Sequence, residues 1–477
     1  MVGGPDWLRR SMPNVCSQRR RKKYSEKGKR NNMERETSRI HAVLLPYPAF
    51  GHMIPFHQLA IALANAVLDS NPLPEGAEAT LDIPMDQSQN LTKAFDLLRK
   101  PVEEFVVEHS PDWLIVDFIT PWATDVGSDC GVPVLGFSPF SAATSLFFGP
   151  PEYLTGDGQK RVRSSLESLT SPPEWVTFPS SVAYRGFEAA GTLFGFFGED
   201  ATGMSPAKRI AKTISMSQAV ALRTSKELGG EYLSTYAKLI GKPVIPIGLL
   251  PPEKPKERQI TDKSWIETFE WLDQQEPKSV VFVGVGSECK LSREQVYEIA
   301  YGLEESELPY LWALRKPNWA KDDFDALPPG FSKRTLEHKQ KVCIGWAPQM
   351  EILAHPSIGG SLFHAGWGSA IETLQFGHYL LVLPFIIDQG LNARFLVENG
   401  LAIEVERGDD GSFKRSDIAT ALRRAMVGKE GDGMRARLRD IAAVVGDREI
   451  HEGYIAGLVE FLESGIGNQR KNRSSRH

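Results

Sequence analysis

His52 follows the turn Tyr47–Pro–Ala–Phe–Gly51, which itself leaves a short apolar run, His41–Ala–Val–Leu–Leu–Pro46. A neutral imidazole in that place could take a proton from an alcohol, and Gly51 lets a bulky ligand approach the backbone. A lone histidine at a helix start also caps or packs. Asp117 closes a second apolar run, Trp113–Leu–Ile–Val116. Two readings fit it equally: a carboxylate that orients His52 and stabilises its imidazolium, or an acid that serves a turn or helix cap. Far downstream, Ser361–Leu–Phe363 runs into His364–Ala–Gly–Trp–Gly–Ser369, and a helical pattern follows from Ala370 to Phe376. A strand feeding a Gly-rich turn at a helix N-terminus turns unpaired N–H groups and the positive end of the helix dipole toward an anion such as phosphate. Val285–Gly–Ser–Glu288 offers the same arrangement more weakly, with Ser287 as donor, since most Gly-Ser turns are only turns. An acid–amide pair, Asp388–Gln389, follows the apolar run Tyr379–Leu–Leu–Val–Leu–Pro384.

These residues must be carried by strands and helices. His41–Pro46 is nearly continuous in apolar residues, as a strand buried on both faces is. Ile54, Leu59, Leu63 and Val67 recur at helical spacing behind Pro55, so His52 stands between a strand's C-terminal end and a helix N-terminus, where ligands bind in open α/β sheets. After Val67 a return strand is due, because a crossover unit needs a strand at each end. The chain instead continues as a loop from Leu68 to Thr80, then a helix from Gln89 to Glu108 and the strand ending at Asp117. This half is short of one or two strands. Val132–Phe137 and Ser217–Arg223 read as further strands. Between them lie many aromatics, among them Phe147, Phe148, Trp175, Tyr184 and Phe196, which suit an apolar acceptor pocket or plain core. Gly241–Pro255 is a Pro-rich, semi-rigid connector. Beyond it a second strand–turn–helix series begins, with a helix from Ser264 to Gln274, strands Ser279–Gly284 and Tyr310–Leu314 around the helix Ser292–Glu305, and the strand Val342–Ile344. Helices about Arg415–Met426, Met434–Val445 and His451–Ser464 close the chain.

A chain of 477 residues favours two α/β domains over one. Its apolar fraction of 41% suffices for a full core, and a net charge of −5 gives no reason to expect nucleic acid as a partner. Residues 1–32 nonetheless carry +8, including Arg19–Arg–Arg–Lys–Lys23, and read as part of a basic disordered leader or, less simply, an anion-binding patch. Cys16, Cys130, Cys289 and Cys343 lie far apart with no C-x-x-C pair, which suits a reducing, cytoplasmic setting and argues against a zinc site. No apolar run is long enough to span a membrane. The expected division is a leader 1–37, an N-terminal domain 38–240, a linker 241–260, a C-terminal domain 261–448, a helix 449–465 returning to the N-terminal domain, and a disordered tail 466–477.

The stretch Trp346 to Gln389 resembles the signature box of the plant family-1 UDP-glycosyltransferases. The likeness continues from about Met33 to Leu462 through FGHMIP, VGVGSE and the Pro-rich linker. LPEGAEAT, GKPVIPIGLLPP, WALRKP and HAGWGSAIETLQFGH resemble the branch-forming subgroup, which adds a sugar to a sugar already attached to a flavonoid, terpenoid or saponin. The resemblance implies an α/β GT-B fold: two Rossmann-like domains facing a cleft, donor on the C-terminal one and acceptor mostly on the N-terminal one. It implies that Trp346 stacks on the uracil with Ala347 beside it, that Gln349 contacts the uridine, and that Glu372 accepts from the ribose hydroxyls. His364, Ser369 and Ser287 would hold the diphosphate, and Trp367, Gly368, Asp388 and Gln389 would meet the donor sugar. His52 would be the general base with Asp117 its partner. The UDP-sugar would be a co-substrate, with no cofactor and no metal, and the protein a monomer. The reaction implied is inverting transfer of glucose or rhamnose to a small plant glycoside. Where family members have a return strand, a loop and another strand after the first helix, this chain passes from Val67 to Leu68 and is several tens of residues shorter. The alternative is therefore a homologue that binds UDP-sugar but is impaired in catalysis. A nicotinamide-dependent enzyme is disfavoured, because no G-x-G-x-x-G follows a strand with an acid about 20 residues on.

Overall fold

The computed structural model describes residues 40–47, 52–53, 55–56, 58–59, 92–93, 95–156, 163–200, 202–255, 260–286, 289–337 and 340–474, with side chains to Ile466. The expected leader, the Val67–Leu68 junction and Ser287 lie outside these residues.

Two parallel sheets organise the chain. The first has the order β1 (Ala42–Leu45), β2 (Trp113–Asp117), β3 (Val134–Ser138), β4 (Ala219–Leu222) and β5 (Val244–Pro246). Its helices include α1 (Arg99–His109), α2 (Pro121–Cys130), α3 (Ala142–Phe148), α4 (Gly186–Thr192), α5 (Pro206–Met216) and α6 (Lys226–Ile240). Residues β2 to β4 are wholly buried and apolar almost throughout, as strands covered on both faces must be. β1 differs from expectation: all four of its residues are only half-buried. Among the described residues it pairs on one side alone, with Ala42 opposite Trp113 and Leu45 opposite Val116. Within the described residues that edge position goes with its partial exposure, and the segment where the sequence reading finds the strand deficit lies outside them. The helix expected from Gln89 is broken at Leu97–Leu98, and α1 starts at Arg99.

The second sheet runs β11–β10–β9–β6–β7–β8. In chain order its elements are α7 (Lys263–Asp273), β6 (Val280–Gly284), α8 (Arg293–Ser306), β7 (Tyr310–Leu314), β8 (Lys341–Ile344), α9 (Gln349–Leu353), β9 (Ile358–Phe363), α10 (Trp367–Leu374), β10 (Tyr379–Val382), α11 (Gln389–Glu398), β11 (Ala402–Glu404), α12 (Arg415–Met426), α13 (Lys429–Gly446) and α14 (Arg448–Ser474). The winding reverses between β6 and β9, which pair directly, so the turns after these two strands meet at one crevice.

Two boundaries differ from the sequence reading. β5 pairs with β4, so the segment expected as the linker 241–260 begins inside the first sheet. α14 continues as a helix to Ser474, through most of the segment expected as a tail. Its face Ile455, Leu458, Leu462 and Ile466 packs with Phe56, Leu59, Trp113 and Phe137 of the first domain, and Trp113 donates its indole N–H to the Leu462 carbonyl at 3.0 Å.

Candidate functional site

The first half of the site hangs on β1 and β2. Asp117 is 0% exposed at the end of β2. Its Oδ2 accepts from His52 Nδ1 at 2.8 Å and from the Tyr47 N–H at 3.3 Å, and its Oδ1 accepts from the Ile119 N–H at 3.2 Å. The carboxylate thus fixes the imidazole as the Nδ1–H tautomer, which puts the lone pair on Nε2. Phe118 stacks on the ring, and Tyr47 and Phe140 meet it edge-on. Phe118 and Phe140 also line an apolar pocket with Ser138, Phe148, Leu154 and Ile214. Both contacts open for Asp117 are present: Oδ2 meets His52 Nδ1, and Oδ1 accepts from the Ile119 N–H in the turn after β2. Of the aromatics between β3 and β4, Phe148 lines that pocket, whereas Phe147 lies within the core.

The second half gathers on the C-terminal edge of the other sheet. Trp346 follows β8 through Gly345, whose φ of 122° favours glycine. Its indole is 66% exposed, an open flat face suited to stacking on a base. Ala347 packs against the cluster under α7. Gln349 starts α9, and its Nε2 donates to Glu372 Oε2 on α10 at 2.6 Å. Burial raises the Glu372 pKa, opposed by the Gln349 hydrogen bond and the charge of Arg223. A half-buried carboxylate held this way can accept from a vicinal diol.

His364 directly follows β9 and its ring is wedged between two glycines. A Cβ on Gly286 would come within 2.5 Å of the ring, and one on Gly366 within 2.4 Å. Gly286 also has φ of 76°, so the turn after β6 needs glycine twice over. Burial lowers the His364 pKa to about 4, so the ring is neutral at pH 7 and can act as an N–H donor, not a cation. Its Nδ1 is buried without a hydrogen-bond partner among the described residues. Gly368 and Ser369 lie in the first turn of α10, where backbone N–H groups are open to an anion.

Two side chains expected at the donor sugar are committed within the protein. Trp367 is 4% exposed, and its indole N–H donates to the Arg223 carbonyl at 2.9 Å. Gln389 is buried, and its Oε1 accepts from the Phe385 and Ile386 N–H groups at 2.9 and 3.0 Å, closing the turn before α11. Asp388 stands at the N-cap of α11 and is buried beside Asn392, whose Nδ2 donates to its Oδ2 at 2.7 Å.

Arg223, which the sequence reading passed over, joins the two halves. It follows β4 and is buried. Its Nε and Nη2 donate to the carbonyls of Leu249 and Leu250 at 2.8 and 3.1 Å, and Nη2 to Gln58 at 3.0 Å. Burial lowers its pKa to about 10, against the stabilising charge of Glu372. The same positional signal that marked Asp117, a polar residue just past a buried strand, would have marked it. Gln58, six residues after His52, is therefore tied to the α10 N-terminus through Arg223 and Trp367.

Comparison with known proteins gives a consistent result. Residues 262–435 match the family model described as UDP-glucoronosyl and UDP-glucosyl transferase. The chain is 35% identical to a Glycine max protein named Soyasaponin III rhamnosyltransferase, over 89% of this chain and 95% of that one. It is 34% identical to UDP-glycosyltransferase 91C1 of Arabidopsis thaliana, over 89% of this chain and 97% of that one. The first alignment runs over 461 positions yet takes in only 89% of 477 residues, so tens of its positions have no residue here. Among solved structures, Glycyrrhiza uralensis UGT73P12 complexed with glycyrrhetinic acid 3-O-monoglucuronide superposes with a TM-score of 0.72 at 22% identity, covering 92% of this chain and 98% of that one. The fold is GT-B.

Proposed function

The chain belongs to the family-1 UDP-glycosyltransferases of plants, and from that premise we propose that it moves a glucosyl or rhamnosyl group from UDP to a hydroxyl of a small terpenoid, saponin or flavonoid glycoside, with inversion. The observation that carries this reading is the 2.8 Å contact of His52 Nδ1 with Asp117 Oδ2 beside an apolar pocket. His52 Nε2 takes the proton of the acceptor hydroxyl while its oxygen attacks the anomeric carbon, and Asp117 stabilises the imidazolium that forms. The bond to UDP breaks with its electron pair on the diphosphate. That charge is received by the first-turn N–H groups of α10 at Trp367, Gly368 and Ser369, by the His364 N–H and by Ser287. Trp346, Ala347, Gln349 and Glu372 hold the uridine, and Asp388 and the Gln389 turn face the sugar. The UDP-sugar is the co-substrate, and the helix N-terminus supplies the stabilisation that a metal gives elsewhere. A glycoside acceptor is supported by the name of the Glycine max relative.

The test offers UDP-glucose and UDP-rhamnose with flavonoid and terpenoid glycosides to the wild type, His52→Ala and Asp117→Asn. The wild type should transfer. His52→Ala should lose about 10²–10⁴-fold in kcat, and Asp117→Asn should also lose activity by favouring the wrong tautomer. Equal turnover in His52→Ala would remove it as the base. A folded, UDP-binding wild type without turnover would leave only a UDP-sugar-binding homologue.

A further inference from the structure

Asn392, on the second turn of α11, is 0% exposed and uses both ends of its amide. Its Nδ2 donates to Asp388 Oδ2 at 2.7 Å and to the Ala365 carbonyl at 3.2 Å. Its Oδ1 accepts from the hydroxyls of Ser141 and Thr144 at 3.0 and 3.2 Å. These four partners come from three pieces of the machinery or its support. Asp388 is the buried carboxylate at the N-cap of α11. Ala365 sits between His364 and Gly366 with φ of 62°, a conformation that costs a residue with a Cβ and needs outside support. Ser141 caps α3, whose Ser145 and Phe148 line the apolar pocket beside His52. Tyr184 adds a second contact from the same domain, donating to the Ile387 carbonyl at 2.8 Å, next to Asp388.

We propose that Asn392 is a positioning residue of the donor-sugar site, fixing the Asp388 carboxylate against the turn that carries His364 and tying both to the wall of the acceptor pocket. The proposal rests on the transferase reading, in which Asp388 meets the sugar. Only an amide can do this here. An aspartate would set a carboxylate against the Asp388 carboxylate and the Ala365 carbonyl, and a leucine would remove all four of these hydrogen bonds from the interior. A carboxylate held by a buried, doubly anchored amide keeps one rotamer, which is what the reacting geometry needs.

The test is a double-mutant cycle on turnover of UDP-glucose and UDP-rhamnose, with UDP binding measured beside it. Asn392→Ala should lower kcat/KM for the UDP-sugar by on the order of 10²-fold, and the affinity for UDP, which lacks the sugar, by a much smaller factor. In an Asp388→Ala background it should add little, because the carboxylate it positions is gone. Ser141→Ala/Thr144→Val keeps the volume, removes only the hydroxyls on Oδ1, and should show the same split at smaller size; it decides the matter if Asn392→Ala does not fold. Losses that multiply independently, or that fall equally on UDP binding and turnover, overturn the positioning role. A wild type that turns over no UDP-sugar overturns the transferase reading itself, and so is distinguishable.

Discussion

A histidine held neutral by burial is a debt that falls due in acid. Burial lowers the His364 pKa to about 4, and burial aided by the charge of Lys278 lowers that of His378 to about 3. Unfolded, both titrate near 6.5. Below that value the unfolded chain binds protons that the folded one refuses. The stability contributed is thus fully present above about pH 6.5 and is lost as pH falls toward 4, at up to about 1.4 kcal/mol per pH unit for each histidine. Urea midpoints taken between pH 7.5 and 5, above the range of ordinary carboxylates, should fall with acidity, and His378→Leu should flatten the fall. A midpoint independent of pH in that window would contradict the argument. His52, Trp346, His364 and Asp388 each stand just past a strand or in the turn that follows one, and Asp117 ends one, so a local pattern or the family resemblance singles them out. Arg223 carries the same positional mark, but its contacts, like those of Asn392, were not legible, because their partners come from segments far away in the chain. Nor does local pattern show that Trp367 turns inward to the Arg223 carbonyl while its neighbours Gly368 and Ser369 stay at the open first turn.

Among the elements, α11 carries a group of ion pairs and hydrogen bonds to the first domain. Arg394 donates to Glu404 at 2.8 Å and to Glu188 of α4, and Arg185 lies 3.2 Å from Glu404. One turn on, Glu398 accepts from the Ser181 N–H at 2.7 Å and from Tyr232 of α6. The Glu188 and Glu404 carboxylates are tolerable inside only because guanidinium groups answer them. Arg394→Ala would strand Glu188 and Glu404 together, and should cost about 3–5 kcal/mol in urea unfolding. Adding Glu188→Gln to it should recover part of that loss, and no recovery would mean the charge itself is not the cause. Helices such as α8 and α12 were legible nearly to the residue, since their apolar faces repeat at 3.6. β5 and β11 were not: Val244–Pro246 and Ala402–Glu404 are three residues long, too short for a period, and the prolines around the first read as linker.

At the scale of the whole molecule, the two halves are unequally secured. The second sheet has six strands, with β6, β7, β9 and β10 buried almost throughout. The first has β1 at its edge, half-buried, with a described neighbour on one side only. An edge strand exchanges its amides by local opening at far less cost than a strand between two others. His52 follows β1 closely, so each opening of β1 draws the imidazole away from Asp117, while Trp346, Glu372 and His364 keep their places on the other sheet. Amides 42–45 should therefore exchange with solvent faster than 114–116 and 135–137, read by hydrogen exchange and mass spectrometry. The same inequality predicts an order of loss in urea. If transfer uses His52 on Asp117 as proposed, it should fail at a lower concentration than UDP binding, which the same proposal assigns to the C-terminal sheet. Coincident loss of both would mean that the shared core joining the domains, which runs from Phe147 and Leu222 to Val283 and Trp312, holds β1 as firmly as the rest.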